Sequence, residues 1–210
     1  MTHPLPIVFL VDDEPSVLKA VSRLLRAAGH YVRTFNSAKE FMECQPWEAH
    51  GCVVLDMAMP GYNGLDVQQS LAAQAAHIPI IFLTGHADVG STIRAMRSGA
   101  TDFLTKPVDE AQLLAAVDAA IAKDRAEREA TFIATELHRL IETLSPREYE
   151  VFTLVASGLL NKQTAAQLGT AEKTIKVHRA RVMEKLKVDS LAGLVRLAER
   201  AGVASVATAE

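Results

Sequence analysis

The sequence predicts an α/β domain built on a five-stranded, doubly wound parallel sheet, followed by a helical linker and an all-α domain. Five short apolar runs alternate with five segments of helical periodicity, which implies parallel strands with helices on both faces of the sheet. A stretch of helix formers without Pro or Gly follows, and beyond it only helical patterns occur. We therefore expect domain boundaries at 1–122, 123–144 and 145–210.

The first strand is the apolar run at residues 7–11, which is too short for a helix and ends on Asp12 and Asp13. Pro15 opens the first helix, where its missing N–H costs nothing, and Gly29 ends that helix. The remaining elements are predicted, in order, as a strand at 31–35, a helix at 37–44, a strand at 52–55, a helix at 64–75, a strand at 78–83, a helix at 88–98, a strand at 100–105 and a helix capped by Asp109.

Polar side chains stand at the carboxyl ends of four of these strands. Such ends share one edge of a parallel sheet, so the side chains should converge there. A single Asp in this position is usually a helix cap or a turn former, and a single Thr or Lys is less informative still. Their joint placement is what favours a functional cluster. Its members are Asp12, Asp13, Asp56, Thr84 and Lys106.

Such a cluster suits phosphoryl chemistry. Three carboxylates repel one another unless a cation joins them, and hard oxygen ligands suit Mg²⁺. A carboxylate such as Asp56 can attack phosphorus and form an aspartyl-phosphate. The metal and Lys106 would then neutralise charge on the phosphoryl oxygens, and Thr84 would donate its hydroxyl to the product.

Composition narrows the class of protein. No apolar run reaches the roughly 18 residues of a membrane-spanning helix, and the N-terminus lacks the pattern of a signal peptide. Cys44 and Cys52 fit neither a disulfide framework nor a metal site. We therefore expect a cytoplasmic protein with reduced thiols and no membrane partner.

The charge is distributed unevenly along the chain. Residues 1–122 carry 8 Lys or Arg against 13 Asp or Glu, whereas residues 161–187 carry 7 against 2. A basic patch confined to the C-terminal part indicates a second task, on a polyanion such as DNA.

The order of Asp12-Asp13, Asp56, Thr84 and Lys106-Pro107 resembles the receiver domain of two-component response regulators, which has a flavodoxin-like fold. The segments 56–61 and 83–89 are similar to its FixJ-type branch. The resemblance covers roughly residues 5–122. It implies that a sensor histidine kinase phosphorylates Asp56.

The resemblance also implies roles for the residues around the phosphorylated aspartate. Mg²⁺, or another divalent cation, would be held by Asp13, Asp56 and the backbone carbonyl of Ala58, with Asp12 assisting through water. Lys106 would pair with the phosphoryl group, and its bond to Pro107 would be cis.

The resemblance further implies a switch in which Thr84 would move toward the phosphate and the aromatic ring at Phe103 would turn inward. The side chains of Ala58 and His86 occupy positions at which the family tunes phosphate lifetime.

The helix-forming composition of residues 123–144 predicts a helical linker. Its apolar stripe either packs on its own chain or is shared with a second protomer, and the pattern leaves both alternatives open. The stripe consists of Phe132, Ile133, Leu137, Leu140, Ile141 and Leu144.

Beyond the linker, Ser145 and Glu148 form a capping box that starts a helix. Asn161 is predicted to cap a short helix, and a tight turn at 169–171 separates it from a longer basic helix at 172–186. Helix, turn and basic helix are the arrangement of a helix-turn-helix domain. Periodicity alone does not separate DNA binding from a small bundle with a solvated basic face.

The segments 144–148, 161–162, 165–169 and 173–178 resemble the LuxR-type DNA-binding domain. Leu160 stands where that family usually has Ser, and Thr164 where it usually has an aliphatic residue. The resemblance places Lys176, Val177 and Ala180 toward base edges, and Lys162, Lys173, Thr174 and Arg179 toward phosphates.

Taken together, these patterns predict a response regulator of the NarL/FixJ family. Phosphorylation of Asp56 would promote homodimerisation and sequence-specific binding to double-stranded DNA, with RNA polymerase as a further partner. Three alternatives remain at this point: an aspartyl-phosphate phosphohydrolase, a transcription factor that binds a small signal molecule, and a DNA-binding regulator that works without phosphorylation. The chain would not be an enzyme beyond its own phosphotransfer and dephosphorylation.

Overall fold

A computed structural model of the chain describes residues 5–44, 50–61, 63–74, 77–85 and 89–203. The chain divides into two compact units, residues 1–128 and 129–210. His86, the predicted helix start at 88 and the last seven residues of the tail lie outside the described residues.

The first unit contains the predicted five-stranded parallel sheet, in the order β2-β1-β3-β4-β5. The fold class is confirmed, although β4 and β5 each begin two residues later than predicted. The strands are β1 (Ile7–Val11), β2 (Tyr31–Phe35), β3 (Gly51–Asp56), β4 (Ile80–Thr84) and β5 (Asp102–Thr105).

Alternate side chains of the central strands fill two apolar layers, one on each face of the sheet. Phe9 and Val53 belong to one layer, and their neighbours Val8 and Val54 belong to the other. Because both faces of these strands are buried, nearly all of their residues are apolar, and the strands occur as continuous apolar runs in the sequence. The helices are α1 (Pro15–Ala27), α2 (Ala38–Glu43), α3 (Gly64–Ala73), α4 (Val89–Arg97) and α5 (Glu110–Glu142).

The fifth helix corrects one expectation. The sequence predicts a receiver helix and then a separate helical linker from residue 123, but α5 runs without a break for 33 residues. The segment contains no Gly or Pro and is rich in Ala, Glu and Arg, so nothing in the backbone ends the helix earlier. The linker is therefore helical, as predicted, but it is part of α5.

The second unit is a small helical bundle. Its core includes Val151, Phe152, Ile175 and Val182, and the predicted linker residues Leu137, Leu140, Ile141 and Leu144 pack against that core. Phe132 and Ile133, from the same stripe, are 58% and 37% exposed. The other helices of this unit are α6 (Pro146–Ala156), α7 (Asn161–Gln167), α8 (Glu172–Lys185) and α9 (Leu191–Arg200).

The capping box at the start of α6 is joined to α8 by an ion pair. Ser145 Oγ accepts from the Glu148 N–H, and the Glu148 carboxylate accepts from the Ser145 N–H at 2.8 Å. Lys185 Nζ lies 2.6 Å from Glu148 Oε2 and also donates to the Thr143 carbonyl at 3.0 Å. The hydrogen bond from Lys185, followed by that from Ser145, lowers the pKa of Glu148 to about 2.

We expect this ion pair to make the stability of the second unit depend on pH. The pKa of Glu148 is lower in the folded protein than its ordinary value of 4.5. The stabilisation is therefore complete above pH 4.5 and is lost as the pH falls from there toward 2. Lys185→Met should therefore cost roughly 1–2 kcal/mol near neutral pH and progressively less in acid. Thermal unfolding followed by circular dichroism from pH 7 to pH 3 measures the difference.

Arg196→Met, at an exposed position on α9, is the control and should show no such convergence with wild type. A Lys185→Met deficit that stays constant down to pH 3 would contradict the assignment.

Candidate functional site

The sheet brings the predicted polar cluster together at one edge. Asp56 and Thr84 are the last residues of β3 and β4, and Asp12 and Lys106 directly follow β1 and β5. The Lys106 N–H donates to the Thr84 carbonyl at 2.7 Å, so the ladder between the two strands continues into the cluster. The strand-end reasoning therefore predicted the correct neighbours.

Lys106 is the cation at the centre of this edge. Its Nζ lies 2.6 Å from Asp12 Oδ2 and 3.2 Å from Asp56 Oδ2, and its side chain is only 15% exposed. A third oxygen, Glu14 Oε1, lies 3.5 Å away. Sequence reasoning gave Glu14 no role; the available signal was its place in the acidic run Asp12-Asp13-Glu14.

Asp56 is almost fully enclosed, at 3% exposure. Its Oδ1 accepts a hydrogen bond from the Ala58 N–H at 3.3 Å. Burial raises the pKa of Asp56, while the Lys106 charge and the Ala58 hydrogen bond oppose that rise. Burial also lowers the pKa of Lys106, but the hydrogen bond to Asp12 and the charge of Asp56 outweigh it, so the net direction is upward. The lysine therefore stays charged, and a further cation would favour the ionised Asp56.

The carboxylates fit a divalent cation in chemistry and spacing. One oxygen from each of Asp12, Asp13 and Asp56 lies within 4.8 Å of the others, and no other such group of three occurs among the residues that the structure describes. Mg²⁺ binds oxygen at about 2.1 Å, so opposite ligands are about 4.2 Å apart. A limit of 4.8 Å on the separation of the three oxygens is compatible with their sharing one such ion.

The other residues predicted for this site also lie close by. Thr84 is buried, and Phe103 is half-buried with its ring centroid 6.5 Å from that of Phe82. The Lys106–Pro107 bond is cis, as the resemblance implied. Ala58 is exposed beside Asp56.

Helix α3 starts directly against the end of β3. A Cβ on Gly64, its first residue, would lie 2.8 Å from the Asp56 carbonyl oxygen and 2.8 Å from Phe82 Cε1. Only glycine permits this close approach, so the start of α3 packs directly against the backbone of Asp56.

In the second unit, α7 and α8 present the residues predicted to contact DNA. Val177 is 47% exposed, so its side chain is available for an apolar contact. Lys176 pairs with Glu172 at 3.3 Å, a contact within α8 that the sequence analysis did not consider. The other exposed members of the set are Lys162, Lys173, Thr174 and Ala180.

Arg179 is more constrained than predicted, and Asn161 has a different role. Asn161 is the first residue of α7, and the N-cap is Leu160, so the expectation that Asn161 caps the helix is wrong. The Asn161 side chain instead accepts from Arg179 Nη1 at 3.2 Å. This contact joins two helices and could not be predicted from spacing along the chain.

Both departures from the LuxR pattern are visible in α7. Leu160 is 69% exposed and its side chain cannot accept a hydrogen bond at the N-cap. Thr164 is fully buried, and its Oγ1 has no hydrogen-bond partner among the described residues. Each position costs stability in the folded domain.

Two family models match the chain. The response regulator receiver domain matches residues 8–118, more than half of the sequence, and the bacterial regulatory proteins of the luxR family match residues 142–198. Together they define a two-component response regulator that binds DNA. The chain belongs to the NarL/FixJ family of these regulators, and its function is that of a two-component transcription factor.

Known relatives share this organisation over most of their length. The chain is 48% identical to nodulation protein W of Bradyrhizobium diazoefficiens, over 95% of this chain and 88% of that protein. It is 37% identical to transcriptional regulatory protein FixJ of the same organism, over 93% and 96%. The solved structure of response regulator StyR superposes with a TM-score of 0.85 at 46% identity, covering 94% of this chain and 100% of that one.

No helix in the described part of the chain has both the length and the apolar character that crossing a bilayer requires.

Restoring a capping side chain at position 160 should stabilise the second unit. In Leu160→Ser, the new hydroxyl can accept from the Gln163 N–H, while Gln163 Oε1 already accepts from the N–H of residue 160 at 2.8 Å. The completed capping box should add about 0.5–2 kcal/mol, measured by thermal unfolding.

The matched control is Leu191→Ser, which removes another exposed leucine next to a helix start that Ser190 already caps. If both variants gain equally, loss of exposed apolar surface and not capping explains the effect.

Proposed function

We propose that Asp56 is the phosphorylated residue and that a sensor histidine kinase supplies the phosphoryl group. The observation that carries this proposal is the contact of Lys106 Nζ with both Asp12 and Asp56, at 2.6 Å and 3.2 Å, on the edge where parallel sheets bind ligands. A buried carboxylate beside a fixed cation has the nucleophile and the counter-charge that phosphoryl transfer needs.

The transfer breaks one bond and forms one. An oxygen of Asp56 attacks the phosphorus of a phosphohistidine; the O–P bond forms as the P–N bond breaks, and its electron pair stays on the imidazole nitrogen. Lys106 then pairs with a phosphoryl oxygen, and the Thr84 hydroxyl donates to another. The receiver catalyses this transfer and its own dephosphorylation, and no other reaction.

A divalent cation, Mg²⁺ by preference, completes the site. Asp13, Asp56 and the Ala58 carbonyl would hold it, with Asp12 acting through water. When bound, it supplies positive charge to the oxygens of the transferring phosphoryl group. The support for this assignment is the spacing of the three carboxylates described above.

Phosphorylation is read out by dimerisation and DNA binding. Movement of Thr84 and Phe103 changes the face around α4, β5 and α5, through which two receivers pair. Two LuxR-type domains then bind half-sites about one helical turn apart and act on RNA polymerase. We propose a cytoplasmic location and domains at 1–122, 123–144 and 145–210; the receiver match at 8–118 lies within the first, and the luxR-family match at 142–198 begins three residues before the third.

On DNA, α8 enters the major groove. Lys176, Val177 and Ala180 face base edges, where the exposed Val177 can contact a thymine methyl group. Phosphates are contacted by Lys162, Lys173, Thr174 and Arg179, the last held in place by Asn161.

Replacement of Asp56 tests the proposal directly. Asp56→Asn should reduce labelling by a small phosphodonor to background, because the amide is not a nucleophile toward phosphorus. Removal of Mg²⁺ with a chelator should do the same to the wild type. Asp118→Asn, at a surface carboxylate 72% exposed, is the control and should be labelled normally.

The same reagents separate phosphorylation-dependent from phosphorylation-independent regulation. With phosphodonor, the wild type should dimerise in sedimentation experiments and bind its site more tightly, and Asp56→Asn should do neither. Equal DNA binding by both proteins would favour the regulator that works without phosphate.

The DNA assignments predict two different defects, measured on a site obtained by in vitro selection. Lys173→Ala should weaken binding to all DNA and lower the salt slope by about 1, as expected for one phosphate contact. Lys176→Ala should mainly reduce the preference for the selected site, by about 1–3 kcal/mol.

Arg196→Ala, on α9, is the control for lost positive charge. If the Lys173 and Lys176 variants show the same loss of affinity and no change in preference, then α8 does not read base edges.

A further inference from the structure

Gln68 is a buried amide that joins two helices of the first unit. It lies on α3 at 4% exposure. Its Nε2 donates to the carbonyl oxygens of Ala95 and Ser98, at 3.2 Å and 3.1 Å. Its Oε1 is buried with no hydrogen-bond partner among the described residues.

Both acceptors belong to the C-terminal end of α4, which forms a Schellman motif. Gly99 has a φ of +92°, the Ala100 N–H donates to the Ala95 carbonyl at 3.1 Å, and the Gly99 N–H donates to the Met96 carbonyl at 3.1 Å. The two turn bonds end the helix and satisfy the carbonyls of Ala95 and Met96. Gln68 adds a second bond to the Ala95 carbonyl and a bond to the Ser98 carbonyl, and both bonds attach the end of α4 to α3.

The described side chains of α4 bury little apolar surface. Of its side chains whose burial the structure describes, only that of Ala95 is buried. The two large apolar side chains, Ile93 and Met96, are 46% and 45% exposed. A helix anchored by so little apolar surface belongs to the least stable part of a fold, so individual hydrogen bonds weigh heavily there.

The attachment lies between the phosphorylation site and the elements that respond to it. Gln68 is one helical turn after Gly64, whose backbone abuts the Asp56 carbonyl. From Ser98 and Gly99 the chain continues directly into β5, which carries Phe103 and leads to Lys106.

We propose that Gln68 is a positioning residue that holds α4 in its unphosphorylated arrangement and thereby limits dimerisation in the absence of phosphate. The inference rests on the proposed function of Asp56. An apolar side chain at this position would not carry the energetic cost of the buried, unpaired Oε1. The two hydrogen bonds that the amide donates are therefore its contribution at this position.

The test compares Gln68→Met with Gln69→Met in the full chain. Methionine matches glutamine in length but donates no hydrogen bond, and Gln69 is the adjacent, exposed glutamine of the same helix. Without phosphodonor, amide hydrogen exchange in residues 92–98 should accelerate in Gln68→Met by roughly twofold to tenfold for each bond lost. Exchange in β1 and β3 should not change, and self-association measured by sedimentation should tighten.

Gln68→Asn is the second variant, because its amide is one methylene too short to reach both carbonyls. The proposal requires the same local effect from both variants. It is overturned if exchange in α4 is unchanged, if acceleration extends throughout the sheet in both variants, or if α4 loosens while self-association stays the same or weakens.

Labelling of Asp56 distinguishes this failure from failure of the proposed function. If Asp56→Asn abolishes labelling and the Gln68 variants behave like Gln69→Met, only the role of Gln68 is wrong. If Asp56→Asn is still labelled, the phosphorylation site is wrong, and the exchange data still report whether Gln68 holds α4.

Discussion

The contact of Lys106 with two buried carboxylates is the interaction on which the acidic edge depends. Asp12 is fully buried and Asp56 nearly so, and a buried charge without a partner costs several kcal/mol. A single ammonium group within 3.2 Å of both acids offsets part of that cost. The contact forms only because β1, β3 and β5 end at the same edge of the sheet. The charge balance of the site therefore depends on the topology of the sheet.

That balance suits the switch proposed for this site. One lysine offsets the charge of two buried acids, which leaves room for a divalent cation, and a phosphoryl group on Asp56 would add further negative charge. Lys106 would then share its donors among more acceptors, and it directly follows β5. A change in its contacts would therefore act on the strand that carries Phe103 and follows α4. The acidic edge and the output face are connected by covalent structure over fewer than ten residues.

Local signals predicted most of the fold and the acidic cluster. Buried strands are recognisable in the sequence as apolar runs. The carboxyl ends of parallel strands lie at one edge of the sheet, so the neighbours of Asp56 could be predicted from the topology. Contacts between distant helices leave no such signal in the sequence. Gln68 is one of two adjacent glutamines on α3, and nothing in the sequence distinguishes it from the other. Asn161 has the residue type of a helix cap, but its side chain binds Arg179. The unbroken α5 was missed because a domain boundary was expected where no residue ends a helix.

The strength of the contacts around α4 suits a phosphorylation switch. A conformational equilibrium moves from almost entirely one state to almost entirely the other with about 5.5 kcal/mol of differential stabilisation. If α4 were anchored by large buried side chains at about 2–5 kcal/mol each, one phosphoryl group could not displace it. Among the described residues, Ala95 is the one buried side chain of α4, and Gln68 adds two neutral hydrogen bonds of about 1 kcal/mol each. Contacts of this strength lie within the range that the proposed charge-assisted bonds from Thr84 and Lys106 to phosphate would overcome.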